Sequence, residues 1–213
     1  PDLGFWEYRG APPLHPFSRA LCGAAAHHGA AIAQHFGDAE TSAEWQAAAD
    51  EMRAQVLERG YSERFGMFTQ TFENEEADAA NLLLPTIGIV RGDDPRFRST
   101  LDAYAERLVR PTGVMRYVHD DDFGTPSSTF TICSFWWAEA LALAGRLDES
   151  IQFFERVLAH RNPVGLFSED IDPETGELLG NFPQAYTHVG LIHAAMTIGT
   201  MLRARDGLYH AWS

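Results

Sequence analysis

Two glutamates stand in contexts that suit opposite roles in proton transfer. Glu7 lies in Gly4-Phe5-Trp6-Glu7-Tyr8-Arg9-Gly10, next to a tryptophan. Glu169 lies in Ser168-Glu169-Asp170-Ile171-Asp172-Pro173-Glu174-Thr175-Gly176, a polar, turn-rich stretch that runs on to Gly180-Asn181-Phe182-Pro183-Gln184. An apolar neighbour disfavours a carboxylate, so the first acid is disposed to hold its proton. The second, on a polar loop, stays ionised and can take a proton from water. Two carboxyls with diverging environments are what hydrolysis of a glycosidic bond requires. Each also has a plainer reading: Glu7 as an exposed acid beside a packed tryptophan, Glu169 as one of a solvated acidic loop with Asp170, Asp172, Glu174 and Glu177.

Other chemistry is less well supported by spacing. His119-Asp120-Asp121-Asp122 invites a metal, but consecutive residues point in different directions and supply no full ligand set. His188 and His193 miss the i, i+4 spacing of a helical zinc pair. Neither a metal nor a cofactor is expected.

The two glutamates are far apart in sequence, so the elements between them must bring them together. The pattern predicts seven helices: 17–36, 41–59, 77–89, 94–108, 130–144, 147–160 and 183–205. Gly37 and Gly60 are their C-terminal stops, and Pro95 sits in a first turn. Asn181-x-x-Gln184 reads as a capping box before the last helix. Phe135, Trp136 and Trp137 read as core, with one ring free to reach a site. Strand signals are few: 66–70 and the arms around Glu174-Thr175-Gly176 predict short hairpins. Short connections such as Gly37-Asp38 alternate with long ones at 60–77, 109–129 and 161–182. Loops beyond about 12 residues in a compact domain are usually functional or disordered. An all-helical ring of hairpins with the site on one face fits that alternation.

The 213 residues suit one domain or a large part of one. A net charge of −14 leaves no basic stripe for nucleic acid or anionic lipid, and suits a neutral ligand better than a polyanionic one. No run is long enough to span a membrane. Cys22 and Cys133, both flanked by apolar residues, read as buried thiols, which favours a reducing compartment and hence the cytoplasm. The chain opens at Pro1 inside its best motif, which reads as a piece of a larger protein and leaves export open.

The opening Gly-Phe-Trp-Glu-Tyr-Arg-Gly, the helix start Phe130-Thr131-Ile132-Cys133-Ser134-Phe135-Trp136 and the block Leu166-Phe167-Ser168-Glu169…Gly180-Asn181-Phe182-Pro183-Gln184 together resemble glycoside hydrolase family 15. The family holds glucoamylases, glucodextranases and bacterial trehalases. The resemblance spans nearly the whole chain, in family order, and implies an (α/α)6 barrel of helical hairpins. Seven helices make an incomplete barrel, so residues 1–213 would be the C-terminal part of the catalytic domain.

The resemblance implies an inverting hydrolase of α-glucosidic bonds, in α-glucan oligosaccharides or trehalose, with Glu7 as general acid and Glu169 as general base. Register against the family's Ser-Glu motif selects Glu169 among its acidic neighbours. Phe5 and Trp6 match the pair bordering the non-reducing glucose, with a core tryptophan as the alternative for Trp6. Arg116 and Tyr117 match the arginine-tyrosine step that meets sugar hydroxyls; a salt bridge from Arg116 to Asp120, Asp121 or Asp122 is the alternative. Arg9 is a further candidate, equally suited to partner an acid near Glu7. Ser18-Arg19 departs from the family's serine-lysine step. The expected partners are a neutral α-linked glucosaccharide and the missing N-terminal part of the same enzyme, without which the chain would hold half a pocket and be inactive. An incomplete ring would also expose an apolar wall through which copies could associate. The competing readings are a catalytically incomplete helical module that binds sugar or protein, and a phosphorylase on the same barrel. The acidic surroundings of Glu169 argue against the latter.

Overall fold

A computed structural model of the chain describes residues 2–7, 13–121 and 124–207. The described residues form six α-helices joined by short β-pairs: α1 (Pro16–His35), α2 (Ala39–Arg59), α3 (Pro95–Arg107), α4 (Thr131–Leu143), α5 (Leu147–Leu158) and α6 (Ala185–Arg205). Local chemistry accounts for their ends. Pro16 and Pro95 occupy first turns, where a missing N–H costs nothing. Asp38 and Asp94 cap α2 and α3 by accepting from Thr41 N (3.1 Å) and Arg96 N (2.9 Å). α1 stops at Gly37, held at φ +81° where a side chain would be strained.

Short turns make α1–α2 and α4–α5 antiparallel hairpins. α4 is the central helix, buried without interruption from Thr131 to Ala142, with α5 and α6 packed against it. A helix apolar on every side belongs inside a molecule. α5 is its amphipathic cover: Ser150, Phe153 and Val157 face inward while Asp148 and Glu149 stay out.

The strands are two residues each. β1 (Tyr61–Ser62) pairs with β2 (Met67–Phe68), and β3 (Val109–Arg110) with β4 (Gly113–Val114), all antiparallel. A three-stranded antiparallel sheet runs β5 (Thr129–Phe130), β6 (Asp170–Ile171), β7 (Leu178–Leu179), with Phe130 opposite Asp170. The sheet ties the start of α4 to the Glu169 loop.

Three expectations are corrected. The apolar run 77–89 forms only a 3-10 helix, Ala79–Leu83, followed by turns. Asp78 caps it tightly by accepting from Ala80 N at 2.8 Å. Downstream, Pro85 offers no N–H and Gly88 turns left-handed at φ +78°, so an α-helix cannot propagate. The capping box does not form: α6 starts at Ala185 with Gln184, not Asn181, at its N-cap and no side-chain cap, and the Asn181 amide donates to Glu169 instead. Cys22 is an exposed free thiol on the outer side of α1, whereas Cys133 is buried in α4.

Candidate active site

The turn at residues 4–7 is built against local preference. Gly4 takes φ +70°, and a β-carbon there would meet the His15 ring at 2.7 Å. Glu7 takes φ +58°, a left-handed conformation that costs a non-glycine residue about 1 kcal/mol or more. What holds the turn lies mostly outside it. Asp2 Oδ1 accepts from Gly4 N (2.6 Å) and Ser18 Oγ (2.9 Å), tying it to α1. The Trp6 indole N–H donates to Asp78 Oδ1 at 2.8 Å. Strain of this kind is retained where the surroundings over-determine it.

Trp6 lies in an aromatic wall. Its ring meets Phe5 (5.0 Å between centroids), Phe130 (5.9 Å), Trp136 (6.1 Å) and Tyr117 (6.2 Å). Phe5 in turn packs edge-on to Trp136 and Phe17. Trp6 and Phe5 are half-buried, so the wall is both core and surface. Of the three aromatics at the start of α4, Trp136 joins this wall and Phe135 and Trp137 are core. Glu7 itself is exposed, so the described residues do not supply the apolar cover expected for it.

Glu169 is tied to the start of α4 next to Phe130, whose strand pairs with the one beginning at Asp170. Thr131 N donates to its carbonyl (2.9 Å), and its own N–H donates to Asn181 O (2.9 Å). Its Oε2 accepts from both the backbone N–H (3.0 Å) and the side-chain amide (2.8 Å) of Asn181. Gly180, at φ +74°, makes that approach possible, since a β-carbon there would lie 2.8 Å from Oε2.

Arg116 and Tyr117 lie between the two. Arg116 pairs with Asp121 at 3.8 Å, which realises the salt bridge weighed for it, and its guanidinium lies over the Tyr117 ring. Tyr117 donates to Asp121 Oδ2 at 2.5 Å and stacks on His119 at 4.4 Å. Burial, reinforced by that bond, pushes the Tyr117 hydroxyl up to about 12. Arg116 Nε is buried without a hydrogen-bond partner among the described residues. Arg9 lies outside the described residues. Among those described, no group of three or more His, Cys, Asp or Glu could hold a metal ion. His119 bonds Gln70 at 3.1 Å and Asp120 accepts from Thr125.

Two further acids stand out that spacing did not single out for roles. Asp78 is pushed up to about 6 by burial, partly offset by the N–H groups of Ala80 and Trp6 and by nearby His15. Asp170 is also pushed up to about 6, first by burial and then by the charge of Glu169, with Arg116 opposing. Its Oδ1 is buried and unpartnered among the described residues. Asp78 carried a faint signal in Asp78-x-Ala80, an Asx turn ahead of an apolar run. Asn181 carried one that pointed to the wrong partner.

The family model described as "Glycosyl hydrolases family 15" matches residues 1–196. The trehalase of Mycobacterium tuberculosis is 41% identical over 201 residues, which cover 93% of this chain and 29% of the relative. The trehalase of Thermoplasma volcanium is 33% identical over 206 residues, covering 96% and 33%. The chain thus spans about a third of the length of these relatives. Among solved structures, a bacterial glucoamylase complexed with acarbose superposes with a TM-score of 0.75 at 17% identity, covering 94% of this chain and 36% of that one. A family 15 glucoamylase from Hypocrea jecorina gives 0.70 at 15%, covering 92% and 43%. At such identities the superpositions speak to fold alone, the hairpins of an (α/α)6 barrel. With the family model matching residues 1–196 of its 213, the chain belongs to glycosyl hydrolases family 15.

Proposed function

We propose that the chain is the C-terminal part of the catalytic domain of an inverting glycosidase that cleaves α-glucosidic bonds, with trehalose as its first candidate substrate. The observation that carries this reading is the aromatic wall joining the Glu7 turn to the Glu169 strand. A ring face suits the C–H face of a glucose, and the wall connects to both segments that carry these carboxyls. Trehalose follows from relatives at 41% and 33% identity that bear the name trehalase. α-Glucan oligosaccharides are the second choice.

In this mechanism Glu7 gives its proton to the glycosidic oxygen as the bond to the anomeric carbon breaks. Glu169 takes a proton from water on the opposite face, and the water oxygen bonds that carbon. Asn181 occupies Oε2, which leaves Oε1 to the water. The glycosidic oxygen stays with the departing glucose, which keeps its α configuration, and the water oxygen ends on the other, which leaves with inverted, β configuration. Carboxyls of an inverting pair stand roughly 6.5–9.5 Å apart to admit the water. Phe5 and Trp6 border the sugar ring, and Arg116 and Tyr117 meet its hydroxyls. Arg116 remains partly exposed beside Tyr117, so part of its guanidinium is open to a sugar hydroxyl.

The exposure of Glu7 and the share of the relatives that is matched favour a second, compatible statement: alone, the chain is a catalytically incomplete helical module. Its partner is then the segment that precedes the matched region in the relatives. The test combines this chain with that segment from a trehalase relative and follows trehalose by proton NMR. Equal first-formed α- and β-glucose is expected, with Glu7→Gln and Glu169→Gln each lowering kcat by about 100-fold or more. Two β-glucoses, two α-glucoses or unaffected variants would contradict the mechanism. Phosphate-dependent release of a glucose phosphate would favour the phosphorylase instead.

A further inference from the structure

The Trp6–Asp78 hydrogen bond joins the turn that carries Glu7 to a buried polar cluster in the core. Asp78 is 5% exposed and Asn81 and Tyr104 are 1% and 0% exposed. Asp78 N donates to the Tyr104 hydroxyl (3.3 Å), which donates to Phe68 O (2.7 Å). Asn81 Nδ2 donates to the same hydroxyl (3.1 Å) and to Thr69 O (3.0 Å). Every bond in this cluster is buried, so Asp78 has little freedom to move. Across the 2.8 Å bond lies a turn whose backbone closure, Glu7 N to Gly4 O, is 3.3 Å long.

Capping Ala80 does not need an acid. An asparagine caps such a turn as well, without the cost of burying a charge. A carboxylate does one thing an amide does not: its hydrogen bond to an indole N–H is charge-assisted, shorter and roughly twice as strong. We propose that Asp78 is a positioning residue for the turn that carries Glu7, holding the Trp6 indole N–H and through it fixing both the Glu7 carboxyl and the aromatic wall beside it. The proposal rests on the reading of Glu7 as general acid. Asp78 itself touches no reacting atom.

The test uses the chain labelled with 15N-tryptophan. Of its five indole N–H signals, that of Trp6 is the one lost in Trp6→Phe. In the unaltered chain this proton should exchange slowly with solvent. In Asp78→Ala it should exchange about tenfold faster or more and move upfield, with the other indole signals in place. Asp78→Asn, which keeps an acceptor, should restore part of the protection. An unchanged Trp6 signal in a folded Asp78→Ala chain overturns the proposal. If Asp78→Ala does not fold, the combination of Asp78→Asn with Trp6→Phe decides: strictly additive thermal shifts mean no coupling and also overturn it. In the assembled enzyme, Asp78→Ala should lower kcat about tenfold or more with little change in KM, and Asp78→Asn should recover much of it. Loss of activity in Glu7→Gln together with an unchanged Trp6 indole in Asp78→Ala sinks this inference alone. A released indole in Asp78→Ala together with full activity in Glu7→Gln sinks the general-acid reading and leaves the hold of Asp78 standing.

Discussion

Gly180 is where a single atom would show how tightly Glu169 is held. Its φ of +74° is strained for any side chain, and a β-carbon would lie 2.8 Å from Glu169 Oε2 and 3.0 Å from its Cβ. Gly180→Ala should therefore destabilise the fold by about 1–3 kcal/mol and displace the carboxyl from Asn181, lowering kcat in the assembled enzyme. Thermal unfolding measures the first effect and steady-state kinetics the second. Asp78 offers a pH prediction. Its folded value, about 6, is raised above the 3.8 of an unfolded aspartate, so the folded chain binds this proton more tightly. Its contribution favours folding fully below about pH 4 and is lost as pH rises through 6. Melting temperatures should rise between pH 7 and 5, and rise less in Asp78→Asn; parallel curves for the two proteins would refute the assignment. Glu7 and Glu169 were visible as candidates because their neighbours in sequence are distinctive. Asp78 was not, since what marks it is burial and an indole donor 72 positions away.

Elements were legible where local chemistry decides them. α1 to α6 fall within a few residues of the periodicity and caps that predict them. The run 77–89 misled because a short apolar run reads alike whether it forms an α-helix or a turn packed into a core; tertiary partners of Asp78 and Asn81 set the outcome. What periodicity alone could not reveal is how closely α4 and α6 approach. Gly190, buried on α6, would place a β-carbon 2.8 Å from Ile132 Cγ1 and 3.5 Å from Phe135 Cβ, both on α4. Gly199, on the same helix, would meet only the flexible end of Arg203, at 3.7 Å. Alanine is favoured over glycine in a helix by about 1 kcal/mol, but overpacking a core contact costs about 1–3 kcal/mol. Gly199→Ala should thus stabilise the chain by up to about 1 kcal/mol, whereas Gly190→Ala should destabilise it. Denaturant unfolding distinguishes the pair, and equal gains would mean that α4 and α6 are not in close contact.

At the scale of the molecule, the outstanding feature is the side of α6 turned away from α4. Thr187, Gly190, Ala194 and Ile198 form its buried stripe. The other side presents Tyr186, Val189, Ile192 and Met196, which are 42%, 51%, 55% and 66% exposed, with Phe182 just before the helix. These positions recur at helical spacing, and a helix apolar on opposite sides is ordinarily covered on both. Contiguous exposed apolar area beyond a few hundred Å² marks an interaction surface. The chain spans about a third of the length of its trehalase relatives, and on the function proposed above the covering element is the segment that precedes the matched region in such an enzyme. In its absence the same surface should drive copies of the chain together. Val189→Glu combined with Met196→Glu should therefore shift the chain from associated species to monomer in size-exclusion chromatography with light scattering, while leaving its far-UV circular dichroism unchanged. Added to the preceding segment of a relative, the doubly substituted chain should fail to restore glucose release at concentrations where the unaltered chain succeeds. A monomeric unaltered chain that restores release equally well with both substitutions in place would show that this side of α6 faces solvent in the assembled enzyme.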